Sequence, residues 1–122
     1  MAAKKEFAAV FAALRDILKK HARQLVVTND EPKNYYLDTK HTGPNKKPLF
    51  FGAVRLGKNY VSYYLMPVYV FPDMLADISS ELKERMQGKS CFNFKAADAE
   101  LFREVAKLTK LGLDRFKKAG MI

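Results

Sequence analysis

The chain predicts an α+β fold: an N-terminal helix, an antiparallel or mixed sheet of about five strands, and helices packed on one face of that sheet. Three observations lead there. Apolar residues recur at helical spacing near both ends of the chain, over residues 4–22 and 98–118. The middle stretch, residues 48–71 (PLFFGAVRLGKNYVSYYLMPVYVF), is dense in Phe and Tyr and reads as two strands joined by a Gly-containing turn. The order helix, strands, helix, strand, helix lacks the strict alternation that a parallel sheet requires.

Taken in order, residues 4–22 carry Phe7, Val10, Phe11, Leu14, Ile17 and Leu18 as one apolar stripe. Lys5, Arg15, Asp16, Lys19 and Lys20 lie largely off it, and Lys19, Lys20 and His21 suit the C-terminal end of the helix dipole. Residues 25–28 form a short strand ended by Asn29-Asp30-Glu31-Pro32, and residues 34–38 form a weaker one. Residues 39–47 (TKHTGPNKK) have little apolar content and contain Gly43-Pro44-Asn45, which is loop chemistry. Residues 49–56 and 60–66 make a hairpin around Gly57-Lys58-Asn59, with Gly57 or Asn59 able to take positive φ. A third extended piece is expected after Pro67.

Pro72-Asp73 opens a helical segment over residues 74–86, with Ser79-Ser80 able to split it by capping a fresh N-terminus. Met74, Leu75, Ile78, Leu82 and Met86 face inward, and Gly88 ends the helix. Residues 90–95 (SCFNFK) alternate as a strand, Phe92 and Phe94 on one face and Cys91 and Asn93 on the other. Residues 98–118 close the chain with a helix whose stripe is Leu101, Val105, Leu108, Gly112 and Phe116 or its neighbours.

The totals bound the rest. The 122 residues suffice for one domain, 48% hydrophobic and 29% charged, which is a globular composition. The single Cys91 excludes an internal disulfide and, with no signal peptide at the N-terminus, fits a reducing cytoplasm. No run approaches the roughly 18 apolar residues of a membrane span. A net charge of +9 points toward an anionic partner, although Lys and Arg are spread over nearly every segment.

Strand parity sorts the hairpin into faces. Val61, Tyr63 and Leu65 share one face; Tyr60, Ser62, Tyr64 and Met66 share the other, which carries hydroxyls and is read as outward. On the preceding strand, Phe50, Gly52, Val54 and Leu56 oppose Leu49, Phe51, Ala53 and Arg55. An unpaired Arg is costly to bury, so Phe51 and Arg55 are assigned outward as well. The resulting ligand-binding platform is Phe51, Arg55, Tyr60, Ser62 and Tyr64. Left open, such a face stacks a base, takes a planar small molecule or packs against a second subunit as a homodimer. Covered by residues 39–47 or another segment, the same rings are core.

Chemical motifs are scarce. Gly88-Lys89-Ser90 has the tail of a phosphate-binding loop, but the Gly required five residues before Gly88 is Lys83. His21 and His41 stand in different elements, and one Cys makes no zinc ligand set. Asp38 and His41 are close in sequence but read as solvated loop residues. Asp73 and Asp77, Glu81 and Glu84, and Glu100 and Glu104 are interleaved with Lys83, Arg85, Arg103 and Lys107, which is helix-surface ion pairing. No catalytic residues, cofactor motif or metal site emerge.

The order Lys47-Pro48-Leu49-Phe50-Phe51, Gly57-Lys58-Asn59-Tyr60, Tyr63-Tyr64-Leu65-Met66-Pro67, then Gly88-Lys89-Ser90-Cys91-Phe92-Asn93-Phe94 and a closing amphipathic helix resembles the YdhG-like family of small bacterial domains of unknown function. The resemblance implies an N-terminal helix, a curved antiparallel sheet and C-terminal helices. Many members carry a Met-Pro-aromatic signature before the first hairpin strand and a His after the hairpin turn; here those places hold Tyr35-Tyr36-Leu37 and Asn59-Tyr60. The resemblance supplies no reaction.

The leading expectation is a cytoplasmic, non-enzymatic domain that binds a small molecule or a protein through the outer sheet face or the cleft bounded by residues 39–47. The alternative is nucleic-acid binding through Lys46, Lys47, Arg55 and Lys58 with ring stacking.

Overall fold

The amphipathic stripe of the N-terminus does form a helix, α1 (Ala2–Lys19), followed by a 3-10 turn (Ala22–Gln24) and the strands β1 (Val26–Glu31), β2 (Asn34–Thr42), β3 (Pro48–Leu56) and β4 (Val61–Leu65). The chain continues through α2 (Met66–Val70), a 3-10 segment (Pro72–Asp77), α3 (Ser80–Glu84), β5 (Cys91–Phe94) and α4 (Ala99–Lys118). This computed structural model describes residues 2–43 and 46–122, the side chains of residues 2–6 excepted. Pro44 and Asn45 of the expected loop turn, and the Lys5 side chain, therefore lie outside the described residues.

The five strands pair in sequence order and every pairing is antiparallel. The architecture is α+β, with the helices on one face. From the sheet, that inner face presents Tyr35, Leu37, Val54, Val61, Tyr63, Leu65, Phe92 and Phe94, all buried. From the helices come Val10, Phe11, Leu14 and Leu18 of α1 and Leu101, Val105, Leu108 and Phe116 of α4. The stripes expected from 3.6-residue periodicity are thus the ones that pack.

One register shift matters more than any other. Leu37 pairs with Gly52, but the next residue, Asp38, pairs with Phe50. Phe51 is the extra residue of a β-bulge, and a bulge re-aims side chains. Its ring turns inward, fully buried, and meets Phe116 edge-on at 6.0 Å between centroids. Phe50 faces outward and stacks on Tyr36 at 4.7 Å. Strict parity had assigned these two rings the other way round, with Phe51 outside and Phe50 inside. Leu49 likewise packs against the core rather than facing out.

Other boundaries differ for local reasons. α1 stops at Lys19 rather than residue 22. β1 runs on through Asn29-Asp30-Glu31, because pairing with Tyr36, Tyr35 and Asn34 outweighs their turn propensity. β2 extends to Thr42, taking in most of the polar stretch read as a loop; buried Thr39 donates its hydroxyl to the Leu49 carbonyl oxygen at 2.9 Å. No extended piece follows Pro67, which instead sits in the first turn of α2, where its missing N–H costs nothing. The 74–86 helix is split as Ser79 allows: Ser79 Oγ accepts the Leu82 N–H at 3.2 Å and caps α3. Met86 then pairs with Phe92 as an isolated bridge, so the chain before β5 covers that strand's outer edge. Gly88 therefore does not end the helix, which stops at Glu84; it turns the chain back into β5 with φ +80°. Asp98 caps α4 by accepting the Glu100 and Leu101 N–H groups at 3.1 Å.

Neither Gly57 nor Asn59 takes positive φ. The hairpin needs Gly57 for space: a Cβ there would lie 2.8 Å from the Tyr60 carbonyl oxygen, the acceptor of the Gly57 N–H. Gly112 is needed where α4 crosses α2, since an added Cβ would lie 2.7 Å from the Pro67 ring. Gly112→Ala is expected to cost about 1–3 kcal/mol of stability by overpacking, measured by urea unfolding. Phe51→Ala is expected to cost about 3–5 kcal/mol, and Phe50→Ala less than about 1 kcal/mol. Equal losses at the two positions would contradict the bulge.

Candidate functional site

Because α1, α2, α3 and α4 all lie on the inner side, no helix among the described residues packs over the other face of the sheet. Residues 39–42, expected in a loop, belong to β2 itself. The outer face is organised in rungs by the antiparallel register. One rung is Asn34, Arg55, Ser62 and Asn93; the next is Tyr36, Ala53, Tyr64 and Cys91. Directly opposed side chains on such rungs stand roughly 5 Å apart at Cβ. Ala53 is only 4% exposed although it faces away from the helices, because it has a tyrosine as neighbour on each side.

The five platform residues do not all meet. Arg55 and Tyr64 do stand on the outer face, Arg55 exposed and Tyr64 partly so. Arg55 has no hydrogen-bond or ion-pair partner among the described residues. Ser62 is on this face but is 6% exposed, with its hydroxyl donated to Asn93 Oδ1 at 2.7 Å. Asn93 also accepts the Cys91 thiol at 3.4 Å and donates to Gln87 Oε1 at 2.6 Å. This network braces β4, β5 and the segment flanking β5; it leaves Ser62 no free hydroxyl to offer. Tyr60 sits just before the start of β4 and lines an open cavity of about 620 Å³ with Arg85, Gln87, Asn93, Lys95 and Leu101. Phe51 is excluded from the platform by the bulge.

Two rings that parity reasoning missed take its place. Tyr36 and Phe50 are both partly exposed and stacked on each other. A signal for Tyr36 was present, since alternation over residues 34–38 puts it with Asn34 and Asp38, opposite Tyr35 and Leu37. No signal marks Phe50, whose orientation depends on the bulge.

The four cations of the nucleic-acid alternative are divided between the two ends of the sheet. Arg55 and Lys58 stand at the β3–β4 turn, while Lys46 and Lys47 lie in the connection before β3, the length of that strand away, roughly 30 Å. Lys46 is held at φ 62°, in a turn where its N–H donates to the Gly43 carbonyl oxygen at 2.9 Å.

Reactive groups are quieted by their surroundings. Burial pushes the Cys91 thiol above its ordinary range, and the tyrosine hydroxyls of Tyr35 and Tyr36 likewise. The Tyr63 hydroxyl is pushed up further by complete burial. It donates to Thr109 Oγ1, whose own hydroxyl donates to the Val105 carbonyl oxygen at 2.7 Å. Asp38, far from sharing a site with His41, accepts the Thr28 hydroxyl at 2.9 Å. A second cavity, about 580 Å³, lies between α4 and the 3-10 segment, but its charges are largely engaged with one another: Arg115 with Asp73 at 2.9 Å and Lys110 with Asp114 at 3.4 Å. No group of three or more His, Cys, Asp or Glu residues among those described is placed to hold a metal ion. No helix among the described residues is long and apolar enough to cross a membrane.

A scan against protein-family models and searches of curated proteins and of solved structures find no match to this chain.

Because Cys91 is half-buried, hydrogen-bonded and raised in pKa, its alkylation by iodoacetamide at pH 8 is expected to be several-fold slower in the folded protein than in urea. Equal rates by mass spectrometry would restore Cys91 as a candidate nucleophile.

Proposed function

We propose that this chain is a binding domain rather than an enzyme, and that its partner docks on the outer face of the sheet. The observation that carries the reading is the uncovered rung of Tyr36, Ala53 and Tyr64, with Phe50 stacked beside it and Arg55 one rung away. Aromatic side chains offer large contact area at low entropic cost, and an adjacent guanidinium adds an anion contact. In support, the face itself is braced by the Ser62–Asn93 network. A cytoplasmic location belongs to the same proposal, supported by the lone, free Cys91 thiol. So does membership of the YdhG-like family, supported by the order of N-terminal helix, antiparallel sheet and C-terminal helices.

The test uses 8-anilinonaphthalene-1-sulfonate, a probe with fused rings and an anionic group. The native protein should enhance its fluorescence, and the paired variant Phe50→Ala with Tyr64→Ala should lose most of that enhancement while melting at a similar temperature. Enhancement that survives the double substitution would assign the probe elsewhere and remove the platform reading.

A further inference from the structure

On the reading that the outer face is a binding surface, the charge around it points to the class of partner. In a meander, the β1–β2 turn, the β3–β4 turn and the end of β5 lie at one end of the sheet. That end carries Lys33, Arg55, Lys58 and Lys95. At the opposite end, Lys40 stands on β2 and Lys46 in the β2–β3 connection. None of these cations has an ion-pair partner among the described residues. Cations therefore flank the aromatic band on both sides. Of the acidic groups nearby, Asp38 is engaged by Thr28, Asp98 caps α4, and Asp30 and Glu31 lie on the edge strand.

Rings in the middle of an antiparallel face and unpaired cations beyond both ends form a repeated pattern of stacking surface and positive charge. A duplex cannot use it, because its bases keep their faces stacked inside the helix. An unpaired strand can, because its bases splay onto aromatic side chains while its phosphates follow the cations. A protein partner would need alternating apolar and acidic groups on one surface, which is a narrower requirement. We propose that the outer face binds single-stranded nucleic acid. Bases stack on Tyr36, Phe50 and Tyr64, and phosphates are held by Arg55 and Lys58 at one end and Lys40 at the other.

Fluorescence anisotropy with labelled oligo-dT of about 12 nucleotides, a length within the site sizes of single-strand binders, tests this at about 20 mM salt and above. The oligonucleotide should bind, and the logarithm of its affinity should fall with that of the salt concentration at a slope near −2, about −0.7 for each of three phosphate contacts. Phe50→Ala and Tyr64→Ala should each weaken binding roughly tenfold. Tyr64→Leu, which keeps apolar bulk and so guards against a folding defect, should weaken it comparably. Arg55→Gln should make the salt slope shallower by about 0.7. Four results would overturn the proposal: no anisotropy change at low salt, duplex bound as tightly as the single strand, indifference to Tyr64→Leu, or competition by free thymidine monophosphate at the same concentration per base. If the oligonucleotide is silent while the anilinonaphthalene signal still depends on Phe50 and Tyr64, nucleic acid is excluded and the binding face stands. If neither probe responds to those residues, both readings fall together.

Discussion

The bulge at Phe51 is the constraint on which the two faces of the sheet depend. Phe50 and Phe51 are consecutive bulky rings on a central strand, and a regular strand would send them to opposite faces in a phase set by their neighbours. Arg55 and Val54 fix the phase of the downstream half, Arg55 outward and Val54 buried. Without the extra residue, that phase would carry Phe51 out and leave α4 without the ring that Phe116 meets. With it, Phe51 enters the core, Gly52 still lies under Leu18 of α1, and Phe50 comes out beside Tyr36. One slipped pairing thus both completes the core and supplies a ring to the outer surface.

The inner face is saturated by this arrangement. α1 approaches the sheet closely at Gly52, where an added Cβ would lie 3.1 Å from a Leu18 methyl carbon. α4 approaches α2 closely at Gly112, against Pro67. A polar chain in that interface, Tyr63 to Thr109 to the Val105 carbonyl, is satisfied at every step, as a buried hydroxyl must be to avoid a desolvation penalty of about 1–3 kcal/mol. With every helix on this side, the outer face is left to its own side chains. Ser62, Asn93, Cys91 and Gln87 hydrogen-bond among themselves there, while Arg55 does not. The difference separates what braces the face from what remains available on it.

Much of this was legible in the sequence. The apolar stripes of α1 and α4, the alternation of β5 and the two faces of β4 all follow from periodicity, and all hold. What failed did so where tertiary pairing outweighs local preference. Asn29-Asp30-Glu31 is turn-like alone and a strand beside Tyr35 and Tyr36; residues 39–42 are loop-like alone and a strand because Thr39 can reach Leu49. A bulge leaves no compositional mark, so Phe50 and Phe51 could not be sorted by counting. Parity therefore put Arg55 and Tyr64 on the outer face as the structure does, placed Phe51 there wrongly, put Tyr60 on a strand it precedes, and missed Tyr36 and Phe50.

The corrected face also changes which kind of chemistry it supports. On it, Cys91 and Tyr36 are raised toward their neutral forms by burial, while Arg55 is exposed and single. Acid–base catalysis needs two titratable groups converging on a reacting atom with pKa values driven apart. Here the groups are spread along rungs whose neighbouring strands are roughly 5 Å apart, and the hydroxyl best placed to act, Ser62, is hydrogen-bonded into the sheet. Stacking and long-range charge have no such requirement. They work across a sheet surface, tolerate the roughly 30 Å between the two cationic ends, and gain from a scaffold braced by hydrogen bonds. On the reading proposed above, the rings in the middle of this sheet and the cations at its ends would meet an extended, planar and negatively charged partner, and the bulge that put Phe50 on that surface is what widens its aromatic band beyond Tyr36 and Tyr64.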